Sequence, residues 1–196
     1  RDCLLSRGLG DVYKRQILHF DLNISHYDAP DSLYKILNDT LSRYEEEYGT
    51  RPTEETLPLR FAGIIDRAYR KTGQRAVILI DEYDKPLLQN LHDEEMQNRL
   101  RNMLKPFYGV LKTMDRAIRF ALLTGVTKFG KVSVFSDLNN LDDISMREPY
   151  AAICGITETE LRTHFDEDIH TLASALERTY AVSYTHLRAH ETRGNL

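Results

Sequence analysis

Two acidic side chains follow directly on a wholly apolar segment of the chain. Residues 76–80 are Ala-Val-Ile-Leu-Ile, and Asp81 and Glu82 come next. A segment without polar alternation predicts a strand that is buried on both faces. Adjacent carboxylates at the end of such a strand are costly unless a cation compensates their charge, and Mg²⁺ prefers oxygen ligands. The pattern therefore favours a site for Mg²⁺ and a phosphorylated ligand.

This arrangement matches the second nucleotide motif of P-loop NTPases, known as Walker B. In that interpretation Asp81 holds Mg²⁺, and Glu82 orients or deprotonates the water that attacks the γ-phosphate of ATP. The structural alternative is a pair of solvated acids before a helix N-terminus, where negative charge is favoured in any protein. The motif alone does not separate the two interpretations.

A hydroxyl side chain follows the next predicted strand. Residues 118–123 form another mainly apolar segment, and Thr124 and Gly125 come directly after it. A polar residue at this point matches sensor 1 of the additional-strand ATPases, where a hydroxyl can hydrogen-bond the γ-phosphate or the attacking water. The alternative is an ordinary Thr-Gly turn. The combination predicts that Glu82 and Thr124 are catalytic and that Asp81 and Thr124 bind the Mg²⁺-ATP cofactor.

The phosphate loop that should accompany these residues has only an imperfect match. Residues 125–132 fit the pattern G-x-x-x-x-G-K, but Val132 stands where a Ser or Thr must bind Mg²⁺. The segment also follows Asp81 instead of preceding it, and no amphipathic helix comes after it to hold phosphates at its N-terminus. We therefore expect the true phosphate loop, Walker A, to lie upstream of Ile17.

Short apolar strands alternate with longer amphipathic helices along the chain. Strands are expected at residues 17–22, 76–80 and 118–123, and helices at about 33–48, 59–72 and 96–111. Pro106 lacks an amide donor and predicts an interruption or a kink in the third helix. This alternation is typical of an α/β fold in which helices cover a mainly parallel sheet.

The remainder of the chain predicts a long loop and further helices. Residues 125–149 are rich in Gly, Ser, Asn and Asp and predict an ordered loop. Thr157 and Glu160 form a capping box that predicts the start of a short helix, and residues 167–180 are also expected to be helical.

Composition and charge exclude several classes of protein. The chain has 196 residues, of which 41% are hydrophobic and 29% charged, with a formal net charge of −4. No apolar run approaches the length of a membrane span. The acidic balance does not favour direct binding of nucleic acid, because that affinity comes largely from Lys and Arg. The two cysteines, Cys3 and Cys154, cannot form a disulfide framework, which agrees with a cytoplasmic location.

The two ends of the chain differ from its middle. Residues 1–16 and 183–196 have neither helical nor strand periodicity, and both resemble translated sequencing-adapter read-through in metagenomic reading frames. We therefore expect residues 17–182 to be the native domain and the natural protein to continue on both sides.

Four segments together resemble the bacterial AAA-ATPase-like family, in the order that the family has them. They are residues 80–86, 120–129, 135–141 and 154–160. The resemblance implies a P-loop NTPase domain of the additional-strand type, a three-layer sandwich that binds ATP and Mg²⁺. It also implies that Asp81 and Glu82 are the Walker B pair and Thr124 the sensor, and that a PD-(D/E)xK nuclease-like domain often follows.

The chain departs from the family at the phosphate loop, whose Arg-Arg-Phe-Gly-Lys-Ser/Thr-like segment it lacks. We therefore expect an incomplete fold that binds ATP weakly or not at all by itself. Two alternatives to an ATPase stay open, namely a non-hydrolysing regulatory or protein-interaction module and a pure scaffold. Glu82 separates them from an ATPase, since hydrolysis needs a water-orienting acid and a switch does not.

Overall fold

The computed structural model divides into two compact units, residues 1–140 and 141–196. It describes residues 16–126, 134–135, 138, 140–145, 147–150, 153 and 157–175. The first unit holds the sheet and its helices, and the second holds a 3₁₀ turn at Glu148–Tyr150 and one long helix. Residues 127–133, which contain much of the imperfect phosphate-loop match, lie outside the described residues.

Strands and helices alternate along the first unit. In chain order they are β1 (Ile17–Asp21), α1 (Ser32–Tyr48), α2 (Leu57–Thr72), β2 (Ala76–Asp81), α3 (Lys85–Leu88), α4 (Glu94–Thr113) and β3 (Ile118–Leu123). A 3₁₀ turn at Asp115–Ala117 leads into β3. The strands and long helices expected from the apolar periodicities are confirmed.

The strands form a parallel sheet in the order β1-β2-β3. Asp21 at the end of β1 is opposite Asp81, and Ile80 is opposite Leu123. Parallel neighbours need crossover connections, which α1 with α2 and α3 with α4 provide. The α/β class and the parallel sheet are confirmed, and the register brings the carboxyl ends of the strands to one edge.

One face of the sheet carries the core of the unit. Phe20 of β1 is 1% exposed, and its ring lies 4.9 Å from that of Phe61 in α2 and 5.4 Å from that of Phe107 in α4. The ring of Tyr44 in α1 lies 6.0 Å away. All the long helices of this unit that are described therefore pack against the same face as Phe20. Within residues 16–126 the structure shows two layers where the sequence predicted three.

The other face of the sheet is only partly covered. Ile78 and Ile80 are fully buried, whereas Val77 and Leu79, which alternate with them along β2, are half-buried. Phe120, which is opposite Val77, is 52% exposed. The prediction that residues 76–80 are buried on both faces is therefore wrong for this chain. An apolar strand sequence shows only that each face can be buried, and none of the long helices described in residues 16–126 packs against the face away from Phe20.

Helix α4 runs unbroken through Pro106. Of the two predicted outcomes, the interruption is therefore wrong, and the kink stays a prediction. Proline removes one backbone donor from the helix. Leu104 and Phe107, on either side of it, are each at most 1% exposed, and their burial holds both halves of the helix against the core. Asp93 is the N-cap residue of α4, and its side chain accepts a hydrogen bond from the Met96 backbone N–H at 2.9 Å.

The second unit contains α5, Glu158–Ala175. The predicted capping box is confirmed: the Glu160 N–H donates to Thr157 Oγ at 3.2 Å, and the Thr157 N–H donates to Glu160 Oε2 at 2.9 Å. The helix that begins there continues to residue 175, so it is longer than the short helix predicted, and the prediction that residues 167–180 are helical is confirmed as far as residue 175. Among the helices described in either unit, none combines the length and apolarity needed to cross a membrane.

Candidate functional site

The ends of β2 and β3 bring the predicted site residues together. The Thr124 hydroxyl donates a hydrogen bond to the Asp81 carboxylate, and the Glu82 backbone N–H donates to Thr124 Oγ at 3.3 Å. This contact follows from the strand register, because Ile80 is opposite Leu123 and the next residue of each strand therefore emerges at the same edge. Asp81, Glu82 and Thr124 form one cluster, and their chemical roles stay predictions.

Backbone hydrogen bonds continue past the ends of the two strands. The Thr124 N–H donates to the Ile80 carbonyl at 2.9 Å, and the Tyr83 N–H donates to the Thr124 carbonyl at 2.9 Å. Between these bonds Glu82 has a φ of 56°, in the left-handed region. A non-glycine residue there costs about 1–3 kcal/mol and persists only when its surroundings hold it. The bonds from Glu82 and Tyr83 to Thr124 supply that restraint.

Negative charge dominates this edge of the sheet. Burial raises the pKa of Glu82 above its ordinary value, and the neighbouring carboxylates of Asp81 and Asp84 raise it further. Lys85 acts in the opposite direction. A carboxyl group with a raised pKa accepts a proton more readily near neutral pH, which suits a general base.

The donor set fits Mg²⁺ bound together with a phosphate. Among the residues that the structure describes, no group of three or more His, Cys, Asp or Glu side chains could enclose a metal ion. Mg²⁺ does not need such a cage, since it usually binds through one or two carboxylates with waters and substrate phosphates. Asp81 is exposed at the sheet edge beside the Thr124 hydroxyl and offers oxygen ligands of this kind.

Two buried side chains, Asp84 and Tyr108, contact the backbone next to the cluster. Sequence reasoning assigned no role to either of them. Asp84 is fully buried and accepts a hydrogen bond from the Val126 backbone N–H at 3.2 Å. Tyr108 of α4, also buried, donates its hydroxyl proton to the Tyr83 carbonyl at 3.1 Å. The only sequence signal for these contacts was the position of Tyr83 and Asp84 directly after the acidic pair.

Comparison with known proteins gives two matches. A family model described as "AAA-ATPase_like: Predicted AAA-ATPase" matches residues 10–135, which include Asp81, Glu82 and Thr124. A protein of Azotobacter chroococcum mcd 1, described as "Uncharacterized protein in vnfD 5'region", is 44% identical over 142 residues, covering 72% of this chain and 27% of that protein. The chain thus spans about a quarter of the length of this curated relative. No solved structure matches this chain significantly.

Proposed function

The chain belongs to the predicted AAA-ATPase family, and from this premise we propose that it carries the magnesium-binding and water-activating side of an ATP hydrolysis site. The observation that supports the proposal is the cluster of Asp81, Glu82 and Thr124 at the ends of adjacent parallel strands. Ligands of open α/β sheets bind outside the carboxyl ends of the strands. The cluster occupies that place.

Each of these residues has a part in the proposed reaction. The exposed Asp81 carboxylate would hold Mg²⁺ together with the phosphates of ATP, where the ion would supply positive charge to offset that of the phosphates. The Thr124 hydroxyl fixes the orientation of that carboxylate and can turn its proton toward the γ-phosphate when ATP binds. Glu82, with its raised pKa, holds the attacking water and accepts its proton.

We further propose that the sheet is part of a P-loop NTPase domain of the additional-strand type. This type has its acidic strand and its sensor strand side by side, and β2 and β3 are neighbours here. Since the sequence contains no complete Walker A motif, the phosphate loop belongs to another part of the protein. We also propose that the same protein contains a nuclease-like domain and lies in the cytoplasm. This chain is not proposed to contact nucleic acid directly.

The experiment is Mg²⁺-ATP binding and hydrolysis by a full-length family protein that contains this segment. Glu82→Gln removes the proton acceptor and keeps the size of the side chain, so we expect ATP affinity within about threefold of wild type and a turnover lower by about 10²–10⁴. Glu46→Gln, on the exposed side of α1, is the matched control and should leave both unchanged.

Two other results would point elsewhere. A regulatory module that does not hydrolyse ATP would bind it equally well in wild type and in Glu82→Gln, and neither protein would show turnover. A scaffold would bind no nucleotide at all. Equal turnover of Glu82→Gln and Glu46→Gln would reject the assignment of Glu82.

A further inference from the structure

Asp84 is a buried acid that does not cap its own helix. Its side chain is 0% exposed, and it stands at the N-cap position of α3 without a side-chain capping bond. An N-cap carboxylate ordinarily accepts from a backbone N–H of the first helical turn. Asp84 Oδ1 accepts instead from the Val126 N–H at 3.2 Å. Its carboxylate therefore joins the turn after β2 to the segment after β3.

Gly125 lies against this contact and leaves no room for a side chain. A Cβ atom at Gly125 would stand 2.5 Å from Tyr83 Cε1 and 2.7 Å from Asp84 Oδ1. Both distances are shorter than van der Waals contact, so a methyl group would have to displace the ring or the carboxylate. The backbone of residues 124–126 is thus packed directly against the side chains of Tyr83 and Asp84.

Thr124 lies between the two hydrogen bonds that join these segments. On one side the Tyr83 N–H donates to the Thr124 carbonyl at 2.9 Å, and on the other Val126 donates to Asp84. From the helical layer the Tyr108 hydroxyl donates to the Tyr83 carbonyl at 3.1 Å. Displacement of residues 124–126 would therefore move the hydroxyl that contacts Asp81 and release the restraint on Glu82.

We propose that Asp84 is a positioning residue for the site. By holding the backbone at Val126 against the turn of residues 82–84, it keeps the Thr124 hydroxyl on Asp81 and keeps Glu82 in its left-handed conformation. Burial of a carboxylate is costly unless hydrogen bonds compensate it, and the bond from the Val126 N–H is one such compensation. The effect on turnover rests on the proposed function, whereas the effect on the local backbone does not.

Backbone amide hydrogen exchange of the 196-residue chain, followed by NMR, tests the local part without nucleotide. Asp84→Ala should speed exchange at Val126, Tyr83 and Glu82 by about tenfold or more beyond any general destabilisation, because local opening sets these rates. Asp84→Asn keeps an acceptor oxygen and should retain most of the protection. Asp93→Ala removes the cap of α4 and is the matched control, with faster exchange expected at Met96.

Equal exchange at Val126, Tyr83 and Glu82 in Asp84→Ala and Asp93→Ala would overturn the proposal. If Asp84→Ala does not fold, Gly125→Ala and Asp84→Asn decide instead. Gly125→Ala should then speed exchange at Val126 while Asp84→Asn does not, and equal exchange of Gly125→Ala and wild type would overturn it.

Kinetics of the full-length protein test the link to turnover. Asp84→Ala should lower kcat by about tenfold or more, because it displaces Glu82, which acts on the reacting water. The KM for ATP should rise by a smaller factor, because Asp81 keeps its place at the end of β2 and loses only the Thr124 hydroxyl that orients it. Asp84→Asn should restore most of kcat. An unchanged kcat in Asp84→Ala would overturn the link. An inactive wild type would reject the proposed function, and amide exchange would still decide the role of Asp84.

Discussion

Replacement of Thr124 by Val removes the hydroxyl that connects the two strand ends and changes the shape of the side chain very little. In the structure that hydroxyl donates to the Asp81 carboxylate and accepts from the Glu82 N–H at 3.3 Å. The bond to Asp81 is solvent-exposed, so its loss costs about 1 kcal/mol, below the usual range for a charged acceptor because water replaces the hydroxyl. The half-buried Glu82 N–H loses its partner at a cost of about 1 kcal/mol. We therefore expect Thr124→Val to lower the free energy of unfolding by about 2 kcal/mol.

Urea unfolding of the 196-residue chain followed by far-UV circular dichroism measures this change, which suits a protein without Trp. Thr124→Ser keeps the hydroxyl and is the matched control, with an expected loss below about 1 kcal/mol. A Thr124→Val variant within about 0.3 kcal/mol of wild type would refute the reasoning, since the hydroxyl would then contribute nothing to joining the strands.

Two further predictions concern the core and the second unit. Phe61→Ala should lower the free energy of unfolding by about 3–5 kcal/mol in the same urea assay. The reason is that the Phe61 ring is fully buried and lies 4.8 Å from that of Phe107. Tyr34 is 47% exposed, so the control Tyr34→Ala should lower it by less than about 0.5 kcal/mol. Hydrogen bonds from the Thr157 N–H and hydroxyl lower the pKa of Glu160, so the capping box stabilises α5 above the unfolded-state pKa, and this contribution is lost as the pH falls through the lowered folded-state pKa. An NMR titration should find that pKa below its ordinary value. Thr157→Ala should raise the pKa only part of the way back, because the backbone N–H of residue 157, the larger cause of the shift, still donates. An ordinary value in wild type would contradict the capping box.

The sequence predicted the strands and the long helices well wherever their apolar residues recur at regular spacing. It also predicted which residues would meet at the sheet edge, because the carboxyl ends of parallel strands necessarily lie together. Asp81, Glu82 and Thr124 could be brought together on that ground alone. The packing of each face could not be predicted in the same way, and Val77 and Phe120 show why: an apolar side chain has the same pattern whether or not a helix covers it.

The contacts beneath the site depend on tertiary structure that no local pattern specifies. Asp84 stands at the N-cap position of α3, and only the course of the chain after β3 places the Val126 N–H beside its carboxylate. The left-handed φ of Glu82 likewise results from hydrogen bonds to Thr124, a residue distant in sequence. Pro106 shows the opposite case, where burial of neighbouring side chains outweighs a local signal for interruption.

The measurement that tests the central claim most directly is single-turnover hydrolysis of ATP by a full-length family protein, wild type and Glu82→Gln, each saturated with Mg²⁺-ATP. Saturation removes any difference in binding and leaves only the chemical step. The account predicts that wild type converts the bound ATP and that Glu82→Gln retains it, with a rate lower by about 10²–10⁴. Equal rates in the two proteins would contradict the claim that this edge of the sheet activates water.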